Sequence, residues 1–144
     1  MTMPVALEPS VRVGRRRRVA ALAAVGLAWL LQRLRPRRLR AVLGLVRRGA
    51  RPATEAQALS ARRTVVTVSV RCAGQGCLQR SIATALLCRF GGSWPDWCTG
   101  VRTEPFRAHA WVEVAGRPVG ERDEVSVYHK TMTVRAAARR RRAR

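Results

Sequence analysis

The sequence predicts an α+β fold, in which helices come first and a small antiparallel sheet follows. Residues 76–90 carry their apolar side chains at helical spacing, which indicates a buried helix. Residues 108–114, AHAWVEV, alternate between two faces, which is typical of a strand. At 144 residues the chain has the length of one ordinary domain and can bury a substantial core.

The N-terminal part of the chain is expected to be helical. Two or three helices fill residues 16–61, interrupted at Pro36 and Pro52. The apolar run at 19–31 is too short to cross a bilayer, which needs about 20 helical residues, and no signal-peptide cleavage site follows it. We therefore expect this helix to bury its Ala, Leu and Trp29 side chains against the core. Peripheral contact with anionic lipid is the alternative, and it is not favoured.

The remaining segments are assigned from local composition. Residues 64–70, TVVTVSV, predict either a short strand or part of a helix. Residues 93–100 are expected to form a loop, with strand structure from Val101. After a turn, residues 118–127 return as the partner strand of a hairpin. The predicted organisation is thus a loosely ordered N-terminus, an Arg-rich helical segment, a core and an Arg-rich tail, at 1–14, 15–63, 64–134 and 135–144.

The charge of the chain is extreme but unevenly distributed. The formal net charge is +21, and only one of the 29 basic residues, Lys130, is a lysine. Residues 64–134 are nearly balanced, with eight basic and six acidic side chains, and the excess lies on either side of them. Aromatic residues do not alternate with the arginines, so bases would have no stacking platform, and we expect no specific nucleic-acid partner. The arginine bias resembles that of a GC-rich coding sequence, and the basic surface would suit an acidic partner.

The four cysteines predict neither a metal site nor a disulfide framework. They lie at positions 72, 77, 88 and 98, with no C-x-x-C pair of the kind that zinc sites use. The chain has no convincing export signal, so we expect reduced thiols and a cytoplasmic location. No metal and no other cofactor is expected.

One cysteine and one histidine form a candidate catalytic pair. Cys77 opens the helix at 76–90, where unpaired first-turn amides and the helix dipole favour a thiolate and could also bind an oxyanion. Taken by itself, it is better explained as a buried structural cysteine, since free cysteines are mostly core residues. His109, on the alternating strand, is a candidate general base that could take the proton of Cys77 and return it to a leaving amine.

A carboxylate on the returning strand would complete the site, and the register of the hairpin decides which one. With a two-residue turn at Ala115–Gly116, Glu121 and Asp123 both point away from His109. With a three-residue turn, Asp123 lies opposite His109 and Glu121 is its diagonal neighbour on the same face. A cysteine–histidine enzyme therefore predicts an odd-length turn or a β-bulge here.

Several of these segments together resemble a known family. They are CLQRS at 77–81, LLCRFGG at 86–92, GV at 100–101 and FRAHAWVEVAGRPV at 106–119. This combination is similar to the bacterial lasso-peptide leader peptidases, the transglutaminase-like, papain-related half of the lasso B protein in its free-standing form. The resemblance covers about residues 72–121 closely and the helices before them only loosely.

The resemblance implies a fold, an activity and partners. The fold is a transglutaminase-like core with a nucleophile helix and a small antiparallel sheet, on which the N-terminal helical segment packs. The activity is a cysteine peptidase that removes the leader from a ribosomally synthesised lasso precursor peptide. Its partners are that precursor, a separate leader-recognition protein and an ATP-dependent, asparagine-synthetase-like cyclase.

The resemblance also assigns roles to residues. Cys77 is the nucleophile, His109 the general base and acid, and Glu121 the orienting carboxylate, at a position where relatives usually have aspartate. Asp123 is the alternative third member. Trp111 matches the family motif and is expected beside the site, as a packing residue or in contact with the substrate. A non-catalytic transglutaminase-like scaffold of the same pathway is the alternative function.

Overall fold

The computed structural model describes residues 9–121 and 125–137, which form five α-helices and six strands. The helices are α1 (Arg15–Leu31), α2 (Pro36–Val46), α3 (Glu55–Val68), the short α4 (Val70–Ala73) and α5 (Cys77–Phe90). The strands are β1 (Arg51–Pro52), β2 (Ser93–Trp94), β3 (Asp96–Thr103), β4 (Phe106–Val114), β5 (Arg117–Pro118) and β6 (His129–Val134). The α+β fold class is confirmed. Residues 1–8 and 138–144, within the predicted loose N-terminus and Arg-rich tail, lie outside the described residues.

Helix α5 is the centre of the molecule. It contacts α1, α3 and strand β4, and every residue from Gln79 to Cys88 is buried. One apolar cluster joins it to the N-terminal helices and to the sheet, through Ala24 of α1, Leu43 of α2, Val65 of α3 and Val112 of β4. The predicted helix at 76–90 is confirmed, because a helix surrounded on all sides needs the apolar content that this segment has.

Helix α1 packs through small side chains, which corrects one expectation. Its buried residues are Ala21, Ala24 and Ala28, whereas Trp29 is 36% exposed and lies under the guanidinium of Arg33. Alanine on the inner face lets the helix approach α5 closely, so the larger side chains lie outside. None of the helices in the described part of the chain is long and apolar enough to cross a membrane. Pro36 begins α2 at its first turn, where its missing N–H is not needed.

The remaining secondary structure differs from the expectations in three places. Residues 64–68 are helical and end α3, which settles the choice between strand and helix. The segment expected as a loop at 93–100 contains β2 and most of β3, and its Trp94 and Trp97 are fully buried. Of the expected returning strand at 118–127, Pro118 is the one described residue that lies in a strand, and Val125–Val127 form a 3-10 helix.

The main sheet has four antiparallel strands in the order β5-β4-β3-β6, so β6 forms one edge. Strand β3 pairs with β4 in a continuous register that places Gly100 opposite His109. Beyond Pro118 the strand β5 stops, which leaves the other edge of β4 open near its middle. The start of α5 lies against this open edge.

Candidate active site

Cys77 is the first residue of α5, and the turn before it is built from glycine. A Cβ at Gly76 would lie 2.7 Å from the carbonyl oxygen of Arg71, so only glycine allows this close approach. The Gly76 amide donates to the same carbonyl oxygen at 3.0 Å. The Cys77 amide donates to the Gln75 carbonyl at 2.9 Å, so it is not open to a ligand in this structure.

A buried arginine holds the loop that precedes Cys77. The Nη1 of Arg80, on the first turn of α5, donates to the carbonyl oxygens of Cys72 and Gly74 at 3.0 and 3.1 Å. Its charge also favours the thiolate form of Cys77. Arg80 therefore fixes the loop and contributes to the electrostatics of the sulfur.

The sulfur of Cys77 lies at the open edge of β4. Hydrogen bonding from the side chain of His109 and from the backbone of Ala110 lowers the pKa of this thiol. Alternate residues of a strand direct their amides to the same side, and the Val119 amide donates to Val112 O on that side at 3.0 Å. The Ala110 amide therefore points to the side of β4 on which a longer β5 would pair. The sulfur of Cys77 lies on that side instead of a strand.

The turn between β4 and β5 has two residues, which corrects the predicted odd-length turn. Val114 pairs with Arg117, and the two turn residues, Ala115 and Gly116, have φ angles of 52° and 76°. Positive φ at both positions is typical of a type I′ hairpin turn. A regular ladder from this turn would point Glu121 away from His109, as the register argument expected.

Glu121 nevertheless reaches His109, because the chain leaves the ladder at Gly120. Gly120 has a φ of 68°, a conformation that favours glycine. His109 Nε2 donates to Glu121 Oε2 at 2.8 Å, since a carboxylate only accepts. The other ring nitrogen, Nδ1, is therefore the one that faces Cys77. The expectation failed because it assumed that strand pairing continues past Val119. The alternative third member, Asp123, lies outside the described residues.

An arginine of α3 supports Glu121 from behind. The Nε of Arg62 lies 3.9 Å from Glu121 Oε1, and both side chains are almost fully buried. The Cδ of Arg62 would lie 2.7 Å from a Cβ at Gly120, so the arginine side chain packs directly on the glycine backbone. No local signal in the sequence distinguishes Arg62 from the other fourteen arginines in residues 1–63.

The contacts of Cys77 and His109 favour an ion pair. Burial raises the pKa of Cys77, but the hydrogen bonds from His109 and Ala110, with the charges of His109 and Arg80, outweigh it and lower the pKa below its usual 9.0. Burial lowers the pKa of His109, whereas hydrogen bonds to Cys77 and Glu121 and their negative charges raise it from 6.5 to about 9. Both shifts favour a thiolate with an imidazolium over a neutral thiol with a neutral ring.

The other three cysteines have opposite properties. All four cysteines are free thiols, and Cys72, Cys88 and Cys98 are buried. Burial raises the pKa of Cys72, and it raises the pKa of Cys88 to about 11 and that of Cys98 to about 12. Cys77 is therefore the one described cysteine whose surroundings favour the thiolate.

Trp111 lies behind the imidazole and not on an accessible surface. It is 1% exposed, and its ring stacks on that of His109 with centroids 5.8 Å apart. The ring of Tyr128 contacts both, at 5.5 Å from His109 and 6.2 Å from Trp111. Because Trp111 has no face open to a substrate, we describe it as a packing residue that fixes the position of His109. No local pattern in the sequence indicates Tyr128, because its position beside His109 depends on the pairing of β6 with β3.

A second buried carboxylate, Glu113, anchors this aromatic layer. Trp111 Nε1 donates to Glu113 Oε1 at 2.9 Å, and Lys130 Nζ donates to Glu113 Oε2 at the same distance. Glu113 thus resembles Glu121 in burial but has no contact with the imidazole. By holding the Trp111 ring in place, Glu113 indirectly holds the position of His109.

An apolar cleft of about 580 Å³ opens over Cys77 and His109. One wall comes from the segment between α1 and α2 and from the start of α2, and the other from the middle of the sheet. Its apolar lining residues include Leu34, Pro36, Leu39, Leu78, Val101 and Met132. A peptide could therefore reach the thiolate along a groove with apolar walls. Within residues 9–121 and 125–137, no group of three or more histidine, cysteine or acidic side chains could hold a metal ion.

Comparison with known proteins gives one match. The profile of a family described as the transglutaminase-like superfamily matches residues 21–133, which include most of α1, the residues that line the cleft and the main sheet up to the penultimate residue of β6. No match was found among curated proteins or among solved structures.

Proposed function

The chain belongs to the transglutaminase-like superfamily, and from this membership together with the site geometry we propose that it is a cysteine peptidase. The observation that carries the proposal is the position of His109, whose Nε2 lies 2.8 Å from Glu121 Oε2 and whose side chain lowers the pKa of Cys77. A nucleophile, a base and a group that orients the base are the three parts that acyl transfer needs. They lie in a cleft that can admit a peptide.

The reaction would proceed in two steps. In the first, the Cys77 thiolate attacks the carbonyl carbon of the scissile bond, and the His109 imidazolium donates its Nδ1 proton to the leaving amine as the C–N bond breaks. In the second, neutral His109 takes a proton from water, the resulting hydroxide attacks the thioester, and the thiolate leaves with the acid product. Glu121 would keep the ring in one orientation and stabilise its charged form.

Among peptidase substrates, we propose the leader of a lasso precursor peptide. The support is the match of CLQRS at the nucleophile helix and HAWVEVAG on β4 to the lasso leader peptidases. A separate leader-recognition protein would present the precursor, and an asparagine-synthetase-like cyclase would use the new N-terminus. The reaction would take place in the cytoplasm, where these enzymes find ATP.

The direct test is cleavage of a precursor encoded beside a cyclase gene of this type. The chain, the recognition protein and the precursor are combined, and mass spectrometry follows the release of leader and core. Cys77→Ala should abolish cleavage, whereas Cys88→Ala, a thiol at the other end of the same helix, should retain it. Undiminished cleavage by Cys77→Ala would remove Cys77 from the mechanism.

The alternative, a non-catalytic scaffold, predicts a different outcome. It would bind the recognition protein or the cyclase without any cleavage. Its Cys77 would react with iodoacetamide no faster than the buried thiols. Faster alkylation at Cys77 together with cleavage would exclude it.

A further inference from the structure

A basic groove lies beside the cleft, between helix α2 and the edge strand β6. It has a volume of about 530 Å³ and is lined on one side by Arg40 and Arg47 and on the other by residues 130–135. Lys130 is already paired with Glu113. The described residues place no carboxylate within ion-pair distance of the remaining three guanidinium groups, those of Arg40, Arg47 and Arg135.

The groove and the apolar cleft are neighbours that share two lining residues. Thr131 and Met132 line both of them, so a chain that leaves Cys77 across these two residues enters the groove. From Met132 to Arg135, the residue that follows β6, the chain advances three residues, which is roughly 10 Å at the extended rise of about 3.3 Å per residue. An extended peptide has the same rise, so its side chains would reach the arginines about three residues beyond those that contact Met132.

We propose that this groove binds acidic side chains of the same peptide that is cleaved at Cys77. This proposal rests on the proposed peptidase function, and it adds the substrate class. That class is a peptide with an apolar residue close to the scissile bond and carboxylates about three residues further along. The apolar walls of the cleft select the first feature, and the guanidinium groups of Arg40, Arg47 and Arg135, which pair with no carboxylate of the described residues, select the second.

Helix α2 also carries arginines that do not line the groove, and these provide a matched control for the loss of charge. Arg37 and Arg38 are exposed on the same helix but do not line the groove. The double variants Arg40→Gln/Arg47→Gln and Arg37→Gln/Arg38→Gln lower the net charge equally. Any difference between them reports the position of the charge and not its amount.

Binding is measured with a rhodamine-labelled ten-residue peptide that has a leucine-containing half and a half with four glutamates. A second peptide has glutamine in place of glutamate, and both are also made with the halves exchanged, because the direction of the chain is open. By fluorescence anisotropy at 0.1 M salt, the glutamate peptide in one direction should bind about tenfold more tightly than its glutamine counterpart. Arg40→Gln/Arg47→Gln should remove that difference, and Arg37→Gln/Arg38→Gln should retain it.

A second measurement locates the bound peptide relative to Cys77. The glutamate peptide should slow alkylation of Cys77 by iodoacetamide at a concentration about tenfold below that needed by the glutamine peptide. Equal losses in the two double variants, or equal binding of glutamate and glutamine peptides, would overturn the proposal. So would binding that leaves alkylation unchanged, or equally tight competition by single-stranded DNA, because the groove would then serve another acidic molecule. Selective glutamate binding with an unreactive Cys77 would retain the groove as an anion site and overturn the peptidase function instead.

Discussion

Removing the negative charge of Glu121 should lower the pKa of His109 by an amount that follows from the contacts of the site. In Glu121→Gln the amide oxygen can still accept the hydrogen bond from His109 Nε2, but the negative charge is lost. The pKa of His109 is raised from 6.5 to about 9, which corresponds to about 3 kcal/mol in favour of the imidazolium, net of burial. This total comes from both Cys77 and Glu121, and a single opposite charge in contact shifts a pKa by roughly 1–3 units.

We therefore expect Glu121→Gln to lower the pKa of His109 to roughly 6–8. At pH 8 the native imidazole is protonated by roughly ten to one, whereas the variant would be half protonated or less. Cleavage at pH 8 should fall by roughly twofold to a hundredfold, in proportion to the protonated fraction of His109, since the neutral ring cannot protonate the leaving amine. The alkylation rate of Cys77 at neutral pH should fall as well, because a neutral imidazole stabilises the thiolate less.

The assay is an NMR titration of the ring protons of His109. The chain has two histidines, so a His129→Gln variant assigns the spectrum. The matched control is Glu113→Gln, which changes another buried carboxylate, with its side chain 6% exposed against 7% for Glu121, that does not touch the imidazole. If Glu121→Gln leaves the titration of His109 unchanged, or if Glu113→Gln moves it equally, then Glu121 does not hold the charge of the ring.

Three further outcomes follow from the site. Iodoacetamide at neutral pH should label Cys77 at least about tenfold faster than the other three cysteines, whose pKa values are raised; equal labelling, read by peptide mass spectrometry, would contradict the ion pair. Gly120→Ala should lose most cleavage activity while its far-UV circular dichroism spectrum stays native. The added Cβ would lie 2.7 Å from Arg62 Cδ on a residue with a φ of 68°, which would displace Glu121. Full activity would show that the backbone here can relax. The pH profile of kcat/KM should rise through the lowered pKa of Cys77, as the thiolate forms, and fall through about 9, as His109 loses the proton that the leaving amine needs; a profile that still rises above pH 10 would exclude His109 as the acid.

The sequence was most informative where a structure is determined locally. The apolar spacing of residues 76–90 predicted α5, and the alternation of residues 108–114 predicted the two faces of β4. It failed at residues 93–100, because the short, Pro-containing segment SWPDWCTG has the composition of a loop, and its strands form only through pairing with β1, β4 and β6. Strand β6 could not be placed for the same reason, since its partner β3 lies about thirty residues earlier.

The candidate site shows the same division. Cys77 and His109 could be selected from their places at a helix start and on an alternating strand. The approach of Glu121 could not be predicted, because the rule that fixes side-chain direction applies only while a strand remains paired. Arg62 contributes from a helix that is nearly sixty residues away in sequence, and the many surrounding arginines conceal it.

The end of strand β5 explains why both charges of the proposed ion pair occur together. If β5 continued in the same register, residue 121 would lie opposite Ala110 and accept the hydrogen bond of its amide. The sulfur of Cys77 would then lose that donor. The same continuation would turn the Glu121 side chain to the opposite face from His109, so the imidazolium would lose its carboxylate. Because the chain leaves the β-ladder at Gly120, both the thiolate of Cys77 and the imidazolium of His109 are stabilised. This departure depends on the close packing of Arg62 against a residue without a side chain, so a single backbone position controls the protonation state of the whole pair.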